Sequence, residues 1–230
     1  MPSNISAPMQ GRDSQTHEQV SRRRFLGYAG ATMSLFAVTA AACKKNKNND
    51  GVDLGSGDIG ILNYAYALEQ LEAAFYKKVT DSPYSGITAL ESQYFAEIRD
   101  HEIAHREFFK NALGGSKIPD LEVDFSSVNF ASRDSVLATA KTFEDLGVSA
   151  YNGAGKLLTD VNNLLIAGKI VSVEARHAAL IRDLISNGTF AANDVVDAMG
   201  LDKSRMPSEV LALADPFIIT KINASNLPTS

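Results

Sequence analysis

The sequence predicts an all-α protein, a four-helix bundle with a long crossover between its second and third helices. Four segments of about 25 residues each repeat apolar side chains with the period of a helix. Short connections join the first segment to the second and the third to the fourth, so each pair is expected to form an antiparallel hairpin. The connection over 114–131 reaches about 60 Å when extended, which is enough to run the length of the bundle. This pattern of connections predicts two hairpins linked by the crossover.

The first hairpin has clear local signals. The first helix is predicted over 58–79, and the second begins at Thr88. Glu91, three residues after Thr88, completes a capping box, in which each side chain satisfies a free amide of the first turn. The second helix is predicted to end at Gly114, because two consecutive glycines favour a helix terminus.

The second hairpin is predicted from a third helix over 132–158 and a fourth over 160–186. The bundle domain is therefore placed at residues 57–188, followed by a C-terminal extension, 189–230. Within the extension, Pro207 is expected to begin a short helix. The apolar residues that follow are expected to pack on the bundle.

The first 42 residues are predicted to be a signal peptide. Arg22 and Arg23 lie in the sequence S-R-R-R-F-L, which resembles the twin-arginine export motif, and the uncharged segment 26–42 follows. A membrane-spanning anchor is the alternative, but 17 residues are at the short limit for crossing a bilayer. We therefore expect export to the periplasm or the cell envelope.

Cys43, the one cysteine of the chain, directly follows this segment. Its context resembles a lipoprotein box, although Ala40 stands where leucine is usual, and an ordinary signal peptidase would cut at the same bond. The polar residues that follow suit a tether, so 43–56 is predicted to be a lipidated cysteine with a flexible linker to the membrane. A single cysteine excludes an internal disulfide.

Charge excludes one class of partner. The full chain has a net charge of −5, and without its first 42 residues the net charge is −7. An acidic domain repels phosphate backbones, so nucleic-acid binding is not expected.

Two E-x-x-H motifs carry the candidate chemistry. Residues three apart share a helix face, so a glutamate and a histidine can grip the same ion. One such motif is weak evidence, but in each half of the bundle an E-x6-Y motif precedes it. The repeated residues are Glu69, Tyr76, Glu102 and His105 in the first half, and Glu144, Tyr151, Glu174 and His177 in the second.

Four carboxylates in a bundle core repel one another, and two divalent cations would cancel their charge. A set rich in carboxylates and poor in imidazole suits iron or manganese. Other readings stay open. Glu72 could replace Glu69 as the inward residue, His101 with Glu97 gives a rival register, and both tyrosines could be ordinary core aromatics.

The pattern resembles the ferritin-like superfamily of bacterioferritins and rubrerythrins. The sequences at 68–76 and 173–177 are similar to its exported branch, which includes plant desiccation-related proteins. The resemblance covers about residues 58–187, and 206–217 is also similar. It implies a site for two metal ions, iron first and manganese as the alternative.

The resemblance also implies a role for each residue. Glu102 and Glu174 would bridge the two ions, and each terminal glutamate would act with one histidine. Two tyrosines would hydrogen-bond to ligand carboxylates. The implied terminal pairs are Glu69 with His105 and Glu144 with His177, and the tyrosines are Tyr76 and Tyr151.

One departure from the family pattern stands out. In several members an aspartate precedes each E-x-x-H motif and supports a ligand histidine, but here those positions are His101 and Val173. Such partners orient the imidazole and tune the metal. We expect their loss to affect activity more than metal binding.

The predicted function is that of an exported di-metal carboxylate protein in iron, oxygen or peroxide chemistry, or in stress protection. A dioxygen or peroxide molecule would be the reaction partner, and no catalytic residue is assigned beyond the metal ligands. The alternative is a non-catalytic stress or binding protein of the desiccation-related type. Electron supply of the rubrerythrin type is not expected without a four-cysteine module, and a lipid on each chain fits poorly with a closed iron-storage shell.

Overall fold

A computed structural model describes residues 50–229 of the chain. Arg22, Arg23, the apolar segment 26–42 and Cys43 lie outside the described residues. The signal peptide and the lipidated cysteine therefore stay predictions. Within residues 50–229, no helix is both long enough and apolar enough to cross a bilayer.

Four long helices form the bundle, and their bounds differ from the predicted ones by no more than three residues. Helix α1 packs along α2, and α3 packs along α4. The all-α fold and its two hairpins are confirmed. The helices are α1 (Gly57–Asp81), α2 (Ala89–Leu113), α3 (Arg133–Gly155) and α4 (Val161–Ile185).

The start of α2 has the predicted capping box. The Thr88 hydroxyl accepts a hydrogen bond from the Glu91 amide at 3.1 Å, and the Glu91 carboxylate accepts one from the Thr88 amide at 3.2 Å. Glu91 also accepts from Nε of Arg133 at 2.7 Å, which ties the start of α2 to the start of α3. Gly114 ends α2 with a φ of 51°, a conformation that favours glycine.

The crossover runs along α1. The amide of Asn63 donates to the Ser116 carbonyl at 2.9 Å, and the side-chain oxygen of Gln70 accepts from the Leu121 amide at 2.7 Å. Further along, Phe125 is buried and its ring lies 5.8 Å from the ring of α1 residue Phe75. These contacts hold the crossover against the bundle. The long connection is therefore packed along α1 on its way from the end of α2 to the start of α3.

The C-terminal extension crosses α3 at very close range. The Arg205 amide donates to the Ser149 carbonyl at 2.9 Å. A Cβ atom on Gly153 would lie only 1.7 Å from the Arg205 carbonyl oxygen, so any larger residue there must displace the extension.

A short helix, α5 (Pro207–Ala214), follows this crossing and begins with proline. Beyond it, the Phe217 ring lies 4.8 Å from the Phe143 ring of α3. Two short strands, β1 (Val52–Asp53) and β2 (Ile222–Asn223), then pair in parallel. The extension thus contacts both α3 and the residues just before α1.

Candidate metal centre

Four glutamates lie near the midpoints of the four long helices, and the side chain of each is fully buried. Each E-x-x-H motif adds a histidine on the same face of its helix, since residues three apart are neighbours on a helix. The structure therefore brings all six predicted side chains together in one place. They are Glu69 from α1, Glu102 and His105 from α2, Glu144 from α3, and Glu174 and His177 from α4.

The first of two groups surrounds His105. Its Nδ1 atom lies 2.9 Å from Oε1 of Glu174, 3.4 Å from Oε2 of Glu69 and 3.7 Å from Oε2 of Glu102. The ligand atoms of these four residues lie within 4.8 Å of one another, so the group could hold a metal ion.

The second group mirrors the first around His177. Its Nδ1 atom lies 2.9 Å from Oε1 of Glu102, 3.4 Å from Oε2 of Glu144 and 3.7 Å from Oε2 of Glu174. Glu102 and Glu174 belong to both groups, and each turns one oxygen toward each group. Either of these two residues could therefore contact an ion in both groups.

Eight buried nitrogen and oxygen atoms of these six side chains have no hydrogen-bond partner among residues 50–229. Both oxygens of Glu102 and of Glu174 are in this set, but only one oxygen of each terminal glutamate is. Two pairs of these atoms, one at each histidine, approach to 2.9 Å without hydrogen-bond geometry, so the atoms converge on shared space. An unpaired polar atom is costly to bury, and cations bound between the carboxylates would remove that cost. The donor set therefore fits a pair of metal ions.

The remaining oxygens of the terminal glutamates accept hydrogen bonds from two buried tyrosines. The Tyr76 hydroxyl on α1 donates to Oε1 of Glu144, and the Tyr151 hydroxyl on α3 donates to Oε1 of Glu69. Each tyrosine thus holds a carboxylate of the opposite helix. These hydroxyls contact the site itself, which a purely packing role for the two rings would not require.

Replacing Tyr151 with phenylalanine should weaken metal binding. The change leaves an oxygen of Glu69 buried without its donor, and loss of a group that orients a ligand typically costs about 10–100-fold in metal affinity. Tyr64→Phe is the matched control, because the Tyr64 hydroxyl is buried on the same bundle and has no hydrogen-bond partner among the described residues. A metal titration of both variants makes the comparison. Equal affinities in Tyr151→Phe and Tyr64→Phe would contradict the orienting role.

A comparison with protein families matches the ferritin-like domain to residues 57–187, more than half of the chain. The chain belongs to the ferritin-like family. The ferritin-like match spans all four long helices and hence all six side chains, and it ends before the C-terminal extension. A comparison with curated proteins finds no match.

The crowded carboxylates of this ferritin-like site shift its proton equilibria. Burial and the neighbouring Glu174 carboxylate raise the pKa of Glu102 to about 8. Burial opposes a charged imidazole at His177, but the surrounding carboxylates, Glu144 first, outweigh it and raise its pKa to about 12. The pKa of His105 is raised in the same way, chiefly by Glu69. The metal-free site is therefore expected to hold protons that metal ions would displace.

The metal-free protein should lose stability as pH rises from about 5 to about 9. Glu102 and His177 both have folded pKa values above their unfolded ones. Their stabilising contributions are complete below about pH 4.5 and 6.5 and are lost as pH rises through the folded values. Urea midpoints of chelator-treated protein across this range measure the effect. Glu102→Gln should flatten the slope, and a midpoint that climbs with pH would contradict the expectation.

The sequence leaves open whether Glu69 or Glu72 points inward, and the structure shows that both side chains are buried. Glu69 belongs to a metal group, whereas Glu72 lies beyond both groups. Burial, and next the Glu174 charge, raise its pKa well above the usual range. Gly147 explains the space available: it follows Glu144 by three residues, as Glu72 follows Glu69, and a Cβ there would lie 3.1 Å from Oε1 of Glu72. Because Gly147 lies on another helix, the sequence of α1 alone does not indicate that there is room for Glu72 in the core.

His101 lies beside one of the two ligand histidines, so the expected loss of support does not apply to His177. Its Nδ1 atom lies 3.0 Å from Nε2 of His177, and the two rings are nearly parallel. His101 is therefore within hydrogen-bond distance of the ring nitrogen of His177 that points away from the metal groups. The rival register fails, because His101 and Glu97 are both exposed and belong to neither metal group.

Proposed function

We propose that this ferritin-like protein binds two metal ions and uses them in redox chemistry with dioxygen or peroxide. One observation carries the proposal: eight buried, unpaired polar atoms fall into two groups that share Glu102 and Glu174. Buried polar atoms without partners destabilise a protein core, since each one costs free energy. Two adjacent cations would satisfy them together.

Iron is the proposed metal, with manganese as the alternative. Each group offers three carboxylates and one imidazole. Oxygen-rich sets of this kind suit iron or manganese, whereas thiolate-rich sites suit zinc or copper(I). Four carboxylates also balance the charge of two divalent ions. When bound, an iron pair would supply Lewis acidity and one-electron redox equivalents.

The protein's own residues would do the positioning. Glu102 and Glu174 would fix the spacing of the two positions, and Tyr76 and Tyr151 would keep the terminal carboxylates turned inward. The side chain of His105 is 14% exposed, against 5% for His177. A small oxidant would therefore approach from the side of His105, while the rest of the site excludes water.

The test is anaerobic reconstitution of the full-length chain with ferrous iron. We expect about two irons per chain, one for each group, together with release of the protons that the free site holds. Oxygen and peroxide consumption by the loaded protein is then measured. A folded protein that takes up no iron and no manganese would refute the proposal.

Turnover separates the two functional classes. Two bound irons with rapid consumption of oxygen or peroxide would support a redox protein. Two bound irons without turnover would instead favour a non-catalytic stress or binding protein of the desiccation-related type. Glu102→Ala serves as the metal-free control in both assays.

We also propose that the protein is exported by the twin-arginine route and anchored through a lipid on Cys43. The arginine pair and the cysteine after a short uncharged segment support this proposal. Fractionation of cells that express the chain, with Arg22→Lys plus Arg23→Lys and with Cys43→Ser, tests it. We expect the first variant to stay in the cytoplasm and the second to leave the membrane fraction.

A further inference from the structure

The two halves of the site differ around their histidines. Nε2 of His177 has a polar partner 3.0 Å away, Nδ1 of His101. His101 immediately precedes the E-x-x-H motif of α2, and the same position before the motif of α4 is Val173. A valine side chain has no hydrogen-bonding atom. Val173 therefore cannot do for His105 what His101 does for His177.

This contact bears on the form in which His177 can bind a metal, because it places a second ring nitrogen within hydrogen-bond distance of Nε2. A neutral imidazole carries its proton on one nitrogen only. When Nε2 of His177 donates to His101, the lone pair of Nδ1 faces Glu102, Glu144 and Glu174. Such support typically changes metal affinity by about 10–100-fold. His105 must also carry its proton on Nε2 to leave the lone pair of Nδ1 for a metal. Val173 offers no side-chain acceptor for that proton.

The fifth carboxylate adds to the difference. Glu72 occupies the space that Gly147 leaves, where a Cβ would lie 3.1 Å from Oε1 of Glu72 and 3.8 Å from Oε2 of Glu174. That oxygen is the one turned toward His177, whereas Oε1 of Glu174 faces His105. The Glu174 oxygen beside Gly147 is thus the one on the His177 side.

We propose that the two metal positions are unequal and fill in order, the His177 position first, because His101 positions His177. The inference rests on the proposed function, since it concerns the order in which the same site is loaded. It predicts two binding steps whose affinities differ by about 10–100-fold. His101 is a positioning residue, because it contacts the ligand histidine and lies outside both metal groups.

An anaerobic titration of the full-length chain with Mn²⁺, followed by electron paramagnetic resonance, tests the order. In the unaltered protein, the first equivalent should give the signal of isolated ions, and the signal of a coupled pair should appear only with the second. His101→Val removes the hydrogen-bond partner of His177 and puts a valine before both E-x-x-H motifs. It should weaken the first step by about 10–100-fold and let the pair signal grow from the start.

Two further variants separate hydrogen bonding from packing. His101→Asn keeps an acceptor the same number of bonds from the backbone as Nδ1 and should preserve the two steps. Val173→Asn supplies the missing acceptor and should strengthen the second step. His101 is exposed and Val173 is half-buried, so urea midpoints of each variant are measured to check that the fold stays intact.

The outcomes are distinct. An unaltered step pattern in His101→Val would overturn the inference, and so would equal damage from His101→Asn and His101→Val. Simultaneous binding of two ions by the unaltered protein would refute the order while leaving the proposed function in place. A failure of the unaltered protein to bind Mn²⁺ or Fe²⁺ at all would refute the proposed function itself.

Discussion

Alanine in place of Glu102 or Glu174 is expected to abolish the binding of both metal ions. Each of these residues turns one oxygen toward each group, so one substitution damages both positions at once. The loss of one bridge also leaves the remaining carboxylates to face two cations without the full balancing charge. Metal content per chain after anaerobic reconstitution should fall from about two to near zero.

Controls on the same helix separate this effect from general damage. Glu97→Ala removes an exposed carboxylate from α2 and should keep the full metal content. Glu69→Ala removes a terminal residue of one group and should spare the other position. If Glu102→Ala and Glu174→Ala both kept two ions per chain, the bridging assignment would be wrong.

The metal-free variants should remain folded. Buried carboxylates that lack cations repel one another and are costly to ionise. Removing Glu102 takes away a group that is costly to ionise in the core, although it leaves a cavity that acts in the opposite direction. Helical circular dichroism of Glu102→Ala should match that of the chelator-treated protein, so loss of metal cannot be ascribed to unfolding.

Gly153→Ala should be strongly destabilising. The added methyl group would meet the Arg205 carbonyl oxygen at 1.7 Å, so the extension must move away from α3. Overpacking of this kind typically costs about 1–3 kcal/mol, and the hydrogen bond from the Arg205 amide to Ser149 is lost in addition. Urea unfolding should show a lower midpoint.

Gly168→Ala is the matched control, because it makes the same change in an exposed position of α4. Nothing lies within 4 Å of a Cβ at Gly168, and alanine favours a helix over glycine by about 0.5–1 kcal/mol. The two substitutions should therefore shift the midpoint in opposite directions. Unchanged stability in Gly153→Ala would mean that the extension does not cross α3 this closely in solution.

The fold was largely predictable because its signals are local. Thr88 with Glu91 marks the start of α2, and Gly114 marks its end, without reference to any other part of the chain. The length of the crossover then decides the topology. By contrast, nothing near Gly153 in sequence indicates that Arg205 lies against it, because that contact joins distant segments.

The site was predictable where it repeats and unpredictable where it does not. The duplicated spacing pointed to the six side chains, since each half supports the other. The rivalry between Glu69 and Glu72 could not be resolved from α1 alone, because both lie on one helix face. Whether Glu72 can also point inward depends on Gly147 of the opposite helix. The pairing of His101 with His177 likewise joins two helices.

The exchanged tyrosines have a consequence for how the molecule assembles. Tyr76 of the first hairpin donates a hydrogen bond to Glu144 of the second. Tyr151 of the second hairpin donates one to Glu69 of the first. Each metal group also needs a glutamate from the other hairpin. A single hairpin can form its helices early from local contacts, but its carboxylates then stay in water. Completion of the site is therefore expected to coincide with the docking of the two hairpins, a step at which several carboxylates lose their hydration together.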